Sequence, residues 1–325
     1  MAGLGFERET DALLRRLCGK CVVVTGAGGF IGFAALSVLA PYAAELRALL
    51  GAPGDPVWKP PIHIQTHLAD IRDRVKLLEL MRGADVVVHA AGPPSVRTSF
   101  REPGECAAVH VLGTIAVMEA CRTAQVQRVV YISSAEVYGQ PDFRPVWEEC
   151  AIRPLSPYGA AKAAAEVFVR TMAQQANIEC CVLRLFSVFG PRQSPCSVIA
   201  TILSQSGRAE GLWLNDLKPI RDYCYVQDVA EAIALACVAG VKDCTCNIGS
   251  GQGTSVEQLA ELILSLQAKQ VPIRQKASGE RPQGTEIYEL VADVGRAASI
   301  LGWQPRTPLA AGLRETIAWT QQRGS

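Results

Sequence analysis

Residues 21 to 32 read CVVVTGAGGFIG, and this segment constrains the fold more than any other. Cys21 to Thr25 form a short, apolar, β-branched run, the pattern of a strand buried on both faces. Gly26, Gly29 and Gly32 follow with the spacing G-x-x-G-x-x-G, and an apolar helical stretch, FAALSVLAPYAAELRALL, continues from them. A strand, a glycine turn and a helix in that order form the setting in which a dinucleotide's pyrophosphate binds. The glycines permit a tight turn and a close approach of backbone to phosphate, and the helix start supplies N–H donors and the positive end of its dipole.

Apolar strand-like runs recur at 21–25, 86–90, 128–133 and 181–186, with helical patterns between them. ELRALL, 45–50, is read as a second strand and HIQTHLA, 63–69, as a third. This alternation predicts an α/β chain: a Rossmann-type, doubly wound parallel sheet with helices on both faces. After residue 186, loops rich in Pro, Gly, Gln and Ser alternate with short helices. They predict a smaller, mixed α/β C-terminal lobe that closes over the substrate. The division is then a dinucleotide-binding domain over 1–186, rejoined by 222–247, and a discontinuous substrate lobe over 187–325. A chain of 325 residues suits two unequal lobes.

Two further segments carry chemistry. SPYGAAKAAAE sets Tyr158 and Lys162 four residues apart, on one side of a helix. A positive charge near a phenol favours the phenolate over its ordinary pKa of about 10, which makes Tyr158 a candidate general base. RVVYISSAEVYG, 128–139, reads as a buried strand ending in Ser133 and Ser134. The C-terminal end of a parallel strand is where open α/β sheets bind ligands. Ser134 is therefore read as a catalytic hydroxyl, the plain alternative being a cap for the next turn.

Composition narrows the partners. The chain is 49% hydrophobic and 19% charged, with 32 basic and 31 acidic residues and no basic run, which argues for a globular protein and against nucleic acid. It has no uninterrupted apolar run of about 18 residues, so no membrane partner is expected. The first twenty residues lack the apolar core of a signal peptide and read as a short amphipathic helix with Leu13, Leu14 and Leu17 inward. Twelve cysteines without an export signal are read as reduced thiols of a cytoplasmic enzyme. Cys18 and Cys21 form C-x-x-C and Cys244 and Cys246 form C-x-C, but no His lies near either pair in sequence, and no metal is expected.

From about residue 20 to its C-terminus the chain resembles the extended short-chain dehydrogenases/reductases of the NAD-dependent nucleotide-sugar epimerase/dehydratase group. The resemblance is carried in family order by TGAGGFIG, LADIRD, VVHAAG, SVRTSFREP, VLGTIAVMEACR, SSAEVYG, SPYGAAKAAAE, LRLFSVFGPRQ, IRDYCYVQDVAEA, CNIGSGQGTSVEQLAELI and LGWQPRTPLAAGLRET. It implies that Tyr158 takes a proton from a sugar hydroxyl, that Ser134 bonds the same oxygen, and that Lys162 holds the nicotinamide ribose and lowers the Tyr158 pKa. It implies cofactor contacts from Gly26, Gly29, Phe30, Ile31, Gly32, Asp70, Ile71, Ala90 and Ala91, besides Tyr158 and Lys162. Contacts to a nucleotide-diphosphate sugar would come from Ser95, Arg97, Ser187, Arg192, Arg221 and Arg281. The resemblance also implies a homodimer built through a four-helix bundle of VLGTIAVMEACR and YGAAKAAAEVFVRTMAQQ.

The departures from the family pattern bear on the reaction. The acid that binds the adenosine ribose at the end of the second strand is replaced by Leu50 or Gly51, with Asp55 beyond, so NAD is expected and NADP stays open. His110 replaces the family's Asn before the V-x-G-T helix, Ser187 and Phe189 alter the F-N-V-Y-G-P run, and Ser194 replaces the arginine of glucuronate epimerases. In dehydratases of the family an Asp-Glu pair stands at the positions of Ala135 and Glu136. Here Glu136 is present without the acid. Elimination without a general acid is handicapped, and epimerisation needs neither group. The favoured reading is a 4-epimerase working through a transient 4-keto sugar. The alternatives are a dehydratase or decarboxylase with Glu136 as base, or a non-catalytic dinucleotide-binding scaffold or sensor.

Overall fold

The computed structural model describes residues 10–51, 64–208, 210–276 and 281–323. Strand β1 (Cys21–Thr25) is buried along its whole length, and its side chains alternate between the two faces of a sheet. Val22 and Val24 enter one core and Val23 the other. Around β1 lie β2 (Glu45–Leu50), β3 (Ile64–Leu68), β4 (Val86–His89), β5 (Arg128–Ser134) and β6 (Glu179–Leu185). β7 (Ser187–Phe189), β8 (Leu212–Leu214) and β9 (Ile220–Tyr225) precede β10 (Asp243–Ile248), which returns to the main sheet. The sheet's order is β10-β6-β5-β4-β1-β2-β3, with every pair parallel. The order reverses direction between β1 and β4, and that switch point is where such sheets open a crevice for a ligand.

Helices cover both faces. Helix α1 (Phe30–Leu39) follows β1, and α2 (Arg74–Met81) follows β3. α3 (Val96–Arg101), α4 (Pro103–Ala107), a π turn (Ala108–Leu112) and α5 (Gly113–Thr123) connect β4 to β5. α6 (Pro157–Ala176) leads into β6. The C-terminal half contains α7 (Val198–Gln205), α8 (Val226–Val238), α9 (Val256–Leu266), α10 (Gly295–Leu301) and α11 (Leu309–Arg323). Leu36 and Leu39 of α1, Val229 and Ile233 of α8 and Leu301 of α10 pack with Val22 and Val24. Leu77 and Leu80 of α2, Val117 and Met118 of α5 and Val169 of α6 pack with Val23 on the opposite face. A fully buried side chain of this size contributes about 1.5–3 kcal/mol over its exposed form.

A smaller body stands over the C-terminal strand ends. β9 is flanked by β11 (Gly253–Ser255), antiparallel, and β13 (Glu289–Leu290), parallel, and β7 pairs with β9 as well. β8 pairs with β12 (Ile273–Gln275). Of the stretch 222–247, β10 joins the large sheet, whereas the residues of β9 belong to this smaller one.

Two local features differ from the sequence reading. The helix that starts at Phe30 stops at Leu39 instead of running on through residue 50, because Pro41 has no N–H to continue it and the chain turns into β2. Leu14 and Leu17 are buried as expected, but Leu13 is exposed. Asp55 lies outside the described residues. The helical run Pro103–Thr123 is long and apolar enough to cross a membrane by length and composition, yet half of it is buried here, with Val117, Met118 and Cys121 in the core. All twelve cysteines are free thiols.

Candidate active site

The glycine turn is packed as closely as backbone allows. A Cβ at Gly26 would lie 2.7 Å from both Cα and N of Ala91, and one at Gly32 would lie 2.3 Å from the Gly26 carbonyl oxygen. No side chain fits at either position, so the turn after β1 nests against Ala90 and Ala91 at the end of β4. The first amides of α1, from Phe30 and Ile31, have no acceptor within the helix, as at any helix start. No acidic side chain occupies that first turn. A cradle of this form fits a dinucleotide's pyrophosphate.

Beneath it, Thr25 Oγ1 is 2.8 Å from His89 Nδ1, His89 Nε2 is 3.0 Å from Thr114 Oγ1, and the Ala91 amide donates to Thr25 Oγ1 at 3.3 Å. Burial pushes the His89 pKa down to about 3, so the ring is neutral and acts as a fixed strut between β1, β4 and α5. Asp70 and Ile71 follow β3. The Asp70 carboxylate accepts from the Arg72 guanidinium at 2.8 and 2.7 Å, which holds its pKa down to about 2. Leu50 packs 3.2 Å from where a Gly28 Cβ would be, so an apolar side chain stands beside the glycine turn where the family carries its acid.

Ser134, Tyr158 and Lys162 converge at the end of β5. Ser156 caps α6 by accepting the Gly159 N–H at 3.0 Å, and Pro157 occupies the first turn. A Cβ at Gly159 would lie 2.6 Å from the Glu136 carbonyl oxygen, so only glycine lets α6 approach the turn Ala135–Tyr138 this closely. That approach brings Tyr158 to Ser134. Ser134 also accepts the Glu136 N–H at 3.2 Å, so it caps the turn as well as facing the phenol. The Tyr158 N–H donates to Ser99 Oγ at 3.1 Å, and the His110 ring packs edge-on to the phenol at 5.3 Å.

One implied role is altered. Burial pushes the Tyr158 phenol above its ordinary value, Glu136 and Cys106 push it further, and Ser134 works in the opposite sense. Lys162 does not lower it. Its ammonium donates to the Ile132 carbonyl at 2.8 Å and sits 6.0 Å from the Tyr158 ring centroid. Burial brings the Lys162 pKa itself down to about 8. The chain alone holds a neutral phenol ready and does not ionise it.

Glu136 is tied into an ion-pair chain that the sequence did not reveal. Its carboxylate is 3.2 Å from the Arg281 guanidinium and accepts from Ser156 Oγ at 3.3 Å. Arg281 reaches Glu286 at 3.5 Å, and Glu286 pairs with Arg221 at 2.7 Å. The structure thus joins Glu136, Arg221 and Arg281 through Glu286. Ser187 lies on β7, in register with Tyr223 of β9. Ser95 caps α3, accepting the Thr98 N–H at 3.0 Å, and Arg97 is an exposed residue of that helix. Arg192 stacks on Phe33 of α1, 4.1 Å from the ring centroid, and is not part of the Arg221–Glu286–Arg281 group.

Behind the site lies a buried polar network. Ser133 Oγ donates to Glu166, which pairs with Arg184 at 2.7 Å. Arg184 donates to the Tyr138 hydroxyl and the Glu148 carbonyl, and Tyr138 donates to Asn247 of β10. These bonds lock β5, β6, β10 and α6 together at the level of Ser134.

Known proteins resemble this chain in sequence and in fold. The model of the NAD dependent epimerase/dehydratase family matches residues 22–249. The UDP-glucose 4-epimerase of Mycolicibacterium smegmatis is 32% identical over 246 residues, covering 74% of this chain and 77% of that protein. The human dTDP-D-glucose 4,6-dehydratase is 29% identical over 325 residues, covering 93% and 90%. The crystal structure of a Thermus thermophilus UDP-glucose 4-epimerase complexed with NAD superposes with a TM-score of 0.83 at 28% identity, covering 93% of this chain and 99% of that one.

Proposed function

The chain belongs to the NAD dependent epimerase/dehydratase family, and from that premise we propose that it is a nucleotide-sugar 4-epimerase acting on a UDP-hexose such as UDP-glucose. The observation that carries this reading is the pairing of an epimerase-like sequence with the site around Glu136. Ala135 is buried and apolar where an eliminating enzyme needs a general acid, and both Glu136 oxygens are engaged, by Arg281 and by Ser156.

The glycine cradle and the first amides of α1 would hold NAD, which would supply the hydride-transfer chemistry. The chain's own residues move the proton. The chain alone leaves Tyr158 protonated, so the positive charge of bound NAD would have to bring it to the phenolate; Tyr158 then takes the proton from the sugar hydroxyl at C4 and gives it back after the keto sugar has presented its other face. Ser134 bonds the same oxygen and stabilises the charge that develops there. Lys162 anchors the nicotinamide ribose. Arg221 and Arg281 face the substrate diphosphate, for which planar guanidinium groups are suited.

The human dehydratase relative and the presence of Glu136 support a second reading, elimination with Glu136 as base. Incubation with a panel of nucleotide hexoses, followed by product mass, separates the two. An epimerase gives a product of unchanged mass, and Glu136→Gln keeps at least about a tenth of its turnover, since that carboxylate moves no proton in epimerisation. Loss of water, abolished in Glu136→Gln, overturns the epimerase reading.

The enzyme works in the cytoplasm as a homodimer. Twelve free thiols suit a reducing compartment. Leu112, beside α5, and Val167 and Phe168 of α6 are exposed, and together they offer an apolar face for a second copy.

A further inference from the structure

We propose that Cys181 and Cys244 form a reversible oxidation site, at which a peroxide converts two thiols into one disulfide that ties the edge strand β10 to β6. The site does not depend on the reaction proposed above. Cys181 and Cys244 are register partners on adjacent parallel strands. Such strands stand about 4.8 Å apart, within the roughly 4.4–6.8 Å between Cα atoms that a disulfide spans. Both side chains enter the core beneath α8 and α10, and their Sγ atoms lie 2.9 Å apart. Cys246 enters the same core two residues further on, but its register partner is Leu183. Cys180 faces the opposite core.

The thiols are close to solvent on one side only. Cys244, with Arg170, Asp243 and Arg296, lines a cleft of about 330 Å³ at the β10 edge of the sheet, whereas Cys181 is fully enclosed. Hydrogen bonds from Cys181 and Cys246 hold the Cys244 thiol well below the ordinary range; the charges of Arg128 and Arg170 add to this, and burial opposes it. The same contacts push Cys181 upward. The negative charge of the cluster therefore rests on the sulfur that meets the cleft, and the thiolate is the reactive form. It attacks one oxygen of hydrogen peroxide and breaks the O–O bond. Cys244 becomes a sulfenic acid, and the hydroxide set free takes up a proton and leaves as water. The Cys181 sulfur then attacks the Cys244 sulfur, the S–O bond breaks, and a second water carries off the Cys181 proton. Two thiols lose two electrons and two protons, and one peroxide becomes two waters. A thiol reductant reverses the bond by exchange. The cross-link joins positions 63 residues apart, a span that includes β7, β8, β9, α7 and α8, and so restrains the edge strand and the root of the smaller body.

The test exposes the reduced full-length protein to a small molar excess of hydrogen peroxide, blocks the remaining thiols with N-ethylmaleimide at successive times, and maps every cysteine by fragment-ion mass spectrometry. Cys18 and Cys196 are the exposed cysteines, and exposure alone would oxidise them first. The expected result is a Cys181–Cys244 disulfide that forms before either of them changes, with all twelve thiols restored by dithiothreitol. Cys181→Ala should lose the disulfide completely and leave Cys244 as a sulfenic acid that dimedone traps. Cys180→Ala, on the opposite face, should form the disulfide as the wild type does. If Cys181→Ala does not fold, the wild-type mapping decides alone. Oxidation of Cys18 and Cys196 while Cys244 stays reduced, a Cys181–Cys246 bond in place of the proposed one, or a folded Cys181→Ala that gives no dimedone adduct at Cys244 would each overturn the proposal.

Discussion

Lys162 shows most directly how burial sets the chemistry of a single side chain. Its ammonium is enclosed, and its pKa falls from 10.5 to about 8. In the unfolded chain it keeps the ordinary value. Below about pH 8 both states carry the proton and the fold bears the full cost of a buried charge. Between pH 8 and 10.5 the folded protein releases the proton while the unfolded chain retains it, so stability rises with pH across that window. In dinucleotide-stripped protein, Lys162→Met should remove this rise. It should also stabilise the fold at pH 7 by about 2 kcal/mol, the desolvation relieved less the bond to Ile132 that is lost. Urea denaturation at pH 7 and pH 9.5 measures both effects; an unchanged pH dependence would show that the ammonium is not enclosed as described. The sequence located Lys162 by its spacing from Tyr158 but not its effect. Spacing reports which residues share a helix face, whereas the pKa depends on what encloses them, and here the ammonium faces the Ile132 carbonyl instead of the phenol.

At the scale of elements, the site depends on how closely α6 meets the turn after β5. Gly159 makes that contact, and Ala at this position would force a Cβ against the Glu136 carbonyl oxygen at 2.6 Å. Gly159→Ala should cost about 1–3 kcal/mol, as overpacking generally does, and should lower turnover by more than substrate affinity, because it moves Tyr158 from Ser134. Equilibrium unfolding together with kcat and KM checks this, and a variant with full stability and normal kcat would contradict the contact. The strands that carry the site were legible because β1, β4 and β5 are short apolar runs buried on both faces. The helix after the glycine turn was legible in type, and 45–50 was legible as the second strand, but the apolar run between them does not show where the helix ends, and only Pro41 marks the break. The ion-pair chain from Glu136 through Arg281 and Glu286 to Arg221 was not legible. Glu136 and Arg281 lie 145 residues apart on two irregular segments, and no periodicity relates them.

For the whole molecule, the exposed Val167 and Phe168 of α6 and the exposed Leu112 predict association through these helices. The protein should sediment at about twice the 34.8 kDa of one chain, and Phe168→Glu should shift it to the monomer by placing a charge in the centre of the apolar contact. A wild-type protein that sediments as a monomer at micromolar concentration would refute the dimer without touching the site. In the proposed reaction the two bodies divide the chemistry, the larger one, with its sheet and α6, presenting Ser134, Tyr158, Lys162 and the glycine cradle, and the smaller one presenting Arg221 and Arg281. The central claim is that hydride leaves one sugar carbon and returns to that same carbon from the other side while Tyr158 holds the proton. UDP-glucose deuterated at C4 tests it most directly, with the product's label located by NMR. The account predicts UDP-galactose of unchanged mass with the deuterium still on C4, and no exchange in Tyr158→Phe. Deuterium on another carbon together with loss of water, or turnover undiminished in Tyr158→Phe, would contradict it.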